Sequence, residues 1–303
     1  MAEDENKYNK EWFRNRALNS IKKIGPNTWD YSDSLLLYIS ASGSDTYEEL
    51  QETGSPYFNL ITKPEQEYLV SIAKDIAEAL PTKFEYIDLG PGTEHKEQFF
   101  FDELKKLGKE FIYRPVDISQ HFLDLAEKHA SEQGITSKPI QASFEELPEK
   151  LGNAELPRFV SLGLTFSNYS PQIILKLLSD ISGTGGLIFI NAQIRDRVDM
   201  KELERIYSED SAHMADEKLE LLGLKHGEDV TIPRANEDIR TWCSVLKASD
   251  DLQKLGVQNG DRLLVFQSLR YTKESLGKEL REFGKPYEIF DTGSSFIGSL
   301  IKV

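Results

Sequence analysis

Polar and apolar positions along the chain fall into two rhythms. Residues 65–80 (EQEYLVSIAKDIAEAL) carry apolar side chains at helical spacing, and the run stops at Pro81. Short apolar runs then alternate with helical patterns. The spacing predicts strands at 84–89, 111–117, 137–142, 158–163 and 186–191, with helices at about 95–107, 119–132 and 171–182. Such a β-α-β-α order builds an α/β fold, a parallel sheet with helices on both faces. After residue 195 the rhythm changes. Polar helices occupy about 199–225, and strands at 238–247 and 262–270 read as an antiparallel ribbon. A helix at 273–283 precedes two closing strands, YEIFDTG and SFIGSLIKV, which form a hairpin added to the parallel sheet. Residues 1–61 read as short helices with turns at GPNTWD and ETGSP. The pattern therefore separates a Rossmann-like domain, 62–195 with 271–303, from a cap formed by 1–61 and 196–270.

Composition narrows the function classes. The 303 residues carry a formal net charge of −15, spread along the chain rather than gathered in a tail. That opposes a long contact with a phosphate backbone, so nucleic acid is not an expected partner. No stretch approaches the ~18 apolar residues of a membrane-spanning helix, and the opening MAEDENKYNKEW is unlike a secretory leader. The single cysteine, Cys243, lies in the strand-like RTWCSVL and reads as core packing. One cysteine suits a reducing, cytoplasmic compartment. The five histidines, at 95, 121, 129, 213 and 226, form no metal-ligand spacing, so no metal is expected. His121 and His129 read as solvent-facing, and His213 as a surface residue of a polar helix that could otherwise serve as a base. GLTFS around Ser167 is not a nucleophile elbow, which argues against a hydrolase.

Candidate chemistry concentrates where the first predicted strand ends. YIDLGPGTEHKEQFFFDEL passes from an apolar run through Gly90 and Gly92 directly into a helix. Glycines there permit close backbone approach. A dinucleotide fold wants a third glycine, but the chain has Lys96-Glu97. The pattern is instead the acidic-x-G-x-G turn that cradles the methionine part of S-adenosylmethionine (SAM). Asp117 ends the second strand, 25 residues after Gly92, where a carboxylate can accept both ribose hydroxyls. It can equally cap the helix starting at Ser119. Ser143 and Phe144 follow the third strand, where an adenine ring would lie; Phe144 can face adenine or pack in the core.

LGPGTEHKEQFFFDEL, YRPVDIS, ASFEEL and SLGLTFSNYSP together resemble the histidine-specific, SAM-dependent Nα-methyltransferases of ergothioneine biosynthesis. The upstream ETGSPYFNLITKPEQEYL and the final FIGSLIKV are similar to that family too. The resemblance implies a class I methyltransferase fold, which carries a late antiparallel hairpin, with SAM as methyl donor and S-adenosylhomocysteine as product. By it, Gly90 and Gly92 approach the methionine moiety, Lys96 contacts its carboxylate and Asp117 holds the ribose. Asn168 binds the amino acid's α-amino or carboxylate group, or else caps the helix entered through Ser170-Pro171. Where the family reaches the adenine amine with Asp, this chain has Ser143, so only the backbone role of Phe144 carries over. Where the family reads imidazole with Glu two residues before Ser, LLVFQSLRY keeps Ser268 but has Phe266. The family's substrate-gripping helix is represented at best by SAHMADEKL near 211–219. Tyr47, Tyr57, Phe58, Tyr68, Phe166 and Phe266 line a pocket or pack. The expected activity is N-methylation of a small amino acid or amine other than histidine. A small-molecule O-methyltransferase and a SAM-binding protein without turnover are the alternatives.

Overall fold

The computed structural model describes residues 7–37, 49–93, 95–209 and 215–303. In chain order the elements begin with helix α1 (Lys10–Ser20), strands β1 (Lys22–Gly25) and β2 (Thr28–Asp30), and helix α2 (Lys63–Ala79). Then follow β3 (Lys83–Leu89), α3 (Glu97–Lys106), β4 (Glu110–Asp117), α4 (Gln120–Glu132), β5 (Ile140–Gln141), α5 (Leu147–Leu151), β6 (Arg158–Leu162), α6 (Pro171–Ser182) and β7 (Leu187–Gln193). The remainder is α7 (Met200–Glu209), α8 (Asp216–Glu220), β8 (Arg234–Ala235), β9 (Arg240–Ser244), α9 (Asp250–Leu255), β10 (Arg262–Gln267), α10 (Lys273–Phe283), β11 (Tyr287–Phe290) and β12 (Phe296–Lys302). The chain divides into two compact units, Met1–Glu52 with Asp199–Leu269, and Thr53–Val198 with Arg270–Val303.

The larger unit is built on a seven-stranded sheet in the order β11-β12-β7-β6-β3-β4-β5. Strands β5, β4, β3, β6 and β7 are parallel, and β12 joins β7 antiparallel with β11 beyond it. This is the α/β architecture the strand rhythm predicts, closed by the expected hairpin. All residues of β6 and β7, and all of β3 after Lys83, are buried, as strands covered on both faces must be. The predicted strand at 137–142 shrinks to two residues plus an isolated bridge between Ser137 and Tyr113. Helix α2 presents Tyr68, Leu69, Ile72, Ala73, Ile76 and Ala77 to the core as one stripe. It ends where Pro81 forces Leu80 into an extended conformation. Helix α10 starts at a reciprocal Thr272–Ser275 capping box and stops at Gly284 in the left-handed region. Under α3 lies an aromatic core: the ring of Tyr86 is 4.9 Å from Phe159 and 5.5 Å from Tyr113, and Phe101 is 4.9 Å from Tyr113.

The smaller unit has a five-stranded sheet, β1-β2-β10-β9-β8. The antiparallel pairing of β9 and β10 is the expected ribbon. The N-terminal segment differs from the expectation of helices alone, because after α1 it forms the hairpin β1–β2 at GPNTWD and β2 pairs parallel with β10. Strands of four and three residues show too little alternation to announce themselves, and their partner lies some 230 positions downstream. Trp29 Nε1 donates to Asp261 at 2.8 Å and Tyr31 Oη donates to the Lys218 carbonyl at 2.7 Å, fastening the hairpin to this sheet. No helix among the described residues is long and apolar enough to cross a membrane.

Candidate functional site

In the seven-stranded sheet the chain runs outward from β3 through β4 to β5, then returns to β6 on the other side of β3. Open α/β sheets bind ligands at such a reversal, beyond the carboxyl ends of the strands. Gly90 follows β3 and Gly163 follows β6, so both loops of the reversal carry glycine. Gly90 and Gly92 have φ of +67° and +64°, a region that strains any residue with a Cβ. The Gly90 N–H donates to the Val116 carbonyl at 2.9 Å, which holds the turn to the end of β4. A Cβ on Gly90 would lie 3.7 Å from Cζ of Phe144, so the half-buried Phe144 ring borders the turn. The Tyr169 ring lies 6.5 Å from it between centroids.

Three carboxyl groups organise this edge. Asp88, at the end of β3, accepts hydrogen bonds from Tyr113 Oη (2.8 Å) and Ser161 Oγ (2.7 Å), linking three adjacent strands. Burial, reinforced by the charge of Glu97, pushes its pKa up to about 7. Asp117 ends β4, and its Oδ1 accepts the Ser119 N–H at 2.8 Å. The capping alternative is therefore present in the structure, at the residue where the ribose contact is also expected. Burial raises the Asp117 pKa to about 7 as well, against the backbone hydrogen bonds that lower it. Glu65, in the first turn of α2, is 1% exposed; its Oε2 accepts from Lys96 Nζ and its Oε1 from Asn191 Nδ2, both at 2.8 Å. The Asn191 Oδ1 is buried with no hydrogen-bond partner, beside Gly163.

Neither Glu65 nor Asn191 stands out in the sequence: one reads as a solvated helix carboxylate, the other as an interior strand position. Lys96 is oriented by its bond to Glu65. Ser143 is buried and precedes the short helical turn Phe144–Glu146, where its carbonyl accepts the Glu146 N–H at 3.1 Å. Asn168 is the last residue of the turn Leu164–Asn168, half-buried, with the helix-capping position taken by Ser170.

Most of the candidate aromatics take the packing alternative, and only the pocket placement of Tyr68 fails. Tyr68 does not line a pocket: it is 1% exposed, and its hydroxyl donates to the Phe290 carbonyl at 2.7 Å while accepting the Gly298 N–H. The hairpin β11–β12 closes over it, which no local pattern announces. Tyr57 and Phe166 are also core residues, and Phe58 is half-buried. In the smaller unit, Phe266 stacks on Tyr207 (5.6 Å, 24°), and Tyr207 Oη donates to the buried Ser268 Oγ at 3.4 Å. Cys243 is buried there, its thiol pushed up to about 12 by desolvation. Tyr47, His213 and residues 211–214 of SAHMADEKL lie outside the described residues. His129 is not solvent-facing: its Nδ1 is 2.7 Å from Glu97 Oε1.

The profile of the histidine-specific, SAM-dependent methyltransferase family matches residues 31–223, well over half of the chain. No curated protein matches it. Among solved structures the chain is similar to a SAM-dependent methyltransferase of Clostridium acetobutylicum (15% identity, TM-score 0.44), over 86% of this chain and 98% of that one. It is similar to DhpI solved with SAM and HEP (11%, TM-score 0.46; 86% and 94%) and to the CMeT domain of citrinin polyketide synthase (11%, TM-score 0.49; 89% and 59%).

Proposed function

Because the chain belongs to the family of histidine-specific, SAM-dependent methyltransferases, we propose that it methylates the amino nitrogen of a small amino acid or amine other than histidine. The replacement of the family's imidazole-reading Glu by Phe266, stacked on Tyr207, carries this choice of acceptor. An aromatic pair offers an acceptor an apolar face and no anionic partner for a ring N–H.

The residues at the sheet reversal suit SAM. Gly90 and Gly92 hold the left-handed dihedrals of a ligand-hugging turn, and the orphaned Asn191 Oδ1 supplies an acceptor for an ammonium group. Lys96 would hold the methionine carboxylate, Asp117 the ribose, and Phe144, through its backbone and beside Ser143, the adenine. Bound SAM supplies a methyl group already activated on a sulfonium, so alignment of the acceptor nitrogen accounts for most of the rate. Asn168, beyond β6, orients that nitrogen through a neutral amide. A carboxylate in its place would favour the protonated ammonium, whose ordinary pKa of about 8 already keeps most of an α-amine charged at neutral pH. The amine loses its proton to water before attack, and no strong base is required of the chain.

Release of S-adenosylhomocysteine from SAM, followed over a panel of free amino acids, amines and phenols, tests the proposal. Turnover with an amine other than histidine is the expected result. Turnover only with phenols, or fastest with histidine, would overturn it.

A further inference from the structure

We propose that His95, Glu97 and His129 form a divalent-metal site of the kind zinc prefers, joining the SAM-side turn to helix α4. Two imidazoles and one carboxylate are a common zinc donor set. Here they come from separate elements, His95 from the turn before α3, Glu97 from its first position and His129 from the last turns of α4. One donor atom of each lies within 4.8 Å of the other two. His129 Nδ1 stands 2.7 Å and His95 Nδ1 3.7 Å from the same Glu97 oxygen, and the two rings are 4.2 Å apart. Tetrahedral zinc with bonds of about 2.0–2.1 Å spaces its ligands roughly 3.3 Å apart, so small side-chain adjustments complete the set.

The surroundings suit a cation. The Glu97 side chain is 2% exposed, His129 11% and His95 37%, so the cluster is rooted in the interior and open to solvent on the His95 side. Burial works against an ionised Glu97, yet hydrogen bonds from His129 and His95 outweigh it and keep the pKa below the usual carboxylate value. The nearby Lys96 ammonium is engaged with Glu65. His95 holds φ at +49°, an uncommon conformation for a residue with a side chain, and ligation would fix it there.

Calorimetric titration of the full chain, freed of metal by chelator, with Zn2+ alone tests the site. The expected result is one saturable equivalent, a rise in melting temperature reversed by EDTA, and tetrahedral d–d absorption when Co2+ replaces Zn2+. His95→Ala, on the exposed side, should fold normally and bind Zn2+ at least about tenfold more weakly; His129→Ala should do the same. His226→Ala, in the separate His226–Asp216 pair, should bind like the parent. No saturable binding, unchanged affinity in His95→Ala, or loss of binding on His226→Ala would overturn the proposal.

Discussion

The two sheets of this protein solve the same problem in opposite ways. The seven-stranded sheet is assembled mainly from consecutive β-α units, buried on both faces, and the carboxyls whose pKa burial pushes up, Asp88 and Asp117, lie near the carboxyl ends of adjacent strands. The five-stranded sheet joins strands from the two ends of a discontinuous unit, and its most deeply buried charge is a lysine. Lys218 is fully buried, donates to the carbonyls of Asp33 (2.8 Å) and Val265 (2.9 Å), and lies 4.6 Å from the Tyr31 ring centroid. Burial drives its pKa down to about 7, while burial drives Asp88 and Asp117 up to about 7. Burial thus shifts carboxyls in one unit and an amine in the other. Both spend stability on groups that would rather be hydrated.

The largest expected effect comes from packing. A Cβ on Gly298 would stand 2.7 Å from both Phe189 Cε2 and Tyr68 Oη, two side chains with no room to retreat. Gly298→Ala should destabilise the seven-stranded unit by about 2–3 kcal/mol, read by denaturant melts. A loss under ~0.5 kcal/mol would contradict the core placement of Tyr68. Next, Asp117→Ala should weaken SAM binding by about 1.5–3 kcal/mol, roughly 10- to 150-fold in calorimetry. Unchanged affinity would leave Asp117 as a helix cap only.

A smaller effect distinguishes the two units by pH. Asp88 and Asp117 keep protons in the fold that the unfolded chain gives up near 3.8, so their contribution is full below about pH 4 and is lost as pH rises through about 7. Lys218 does the reverse on the alkaline side. The fold sheds a proton that the unfolded chain keeps until 10.5, so its contribution grows from about pH 7 towards 10.5. Melts at pH 5, 7 and 9 should therefore show Asp117→Asn flattening the acid limb and Lys218→Met flattening the alkaline limb. If either variant alters the opposite limb instead, the assignment of that group is wrong.

The difference between the sheets also explains what can be read from sequence. Strands β3, β4, β6 and β7 are continuous apolar runs separated by helical periods, so their order and bounds are visible, and the hairpin β11–β12 follows from its position after α10. The Gly90 turn and Asp117 are legible because each motif is contiguous. Glu65 and Asn191 are not, since residues 126 positions apart meet only in the fold. The same holds for His129, which looks like one polar helix residue until Glu97 is brought to it. The strands β1 and β2 escape notice because their pattern is completed by β10, and Tyr68 reads as a pocket aromatic until β12 covers it.

The proposed function turns on Phe266, which stands where the family has a ring-reading Glu and should make histidine a poor acceptor. The most direct measurement is kcat/KM for histidine relative to the best amine acceptor, in the parent and in Phe266→Glu, with SAM affinity measured alongside. Histidine should be a poor acceptor for the parent. The ratio should move towards histidine by at least about tenfold in the variant, as a restored charged hydrogen bond would give. The SAM dissociation constant should stay within about twofold, under ~0.5 kcal/mol. A parent enzyme that methylates histidine fastest, or a variant whose acceptor ratio is unmoved, would contradict this role of Phe266.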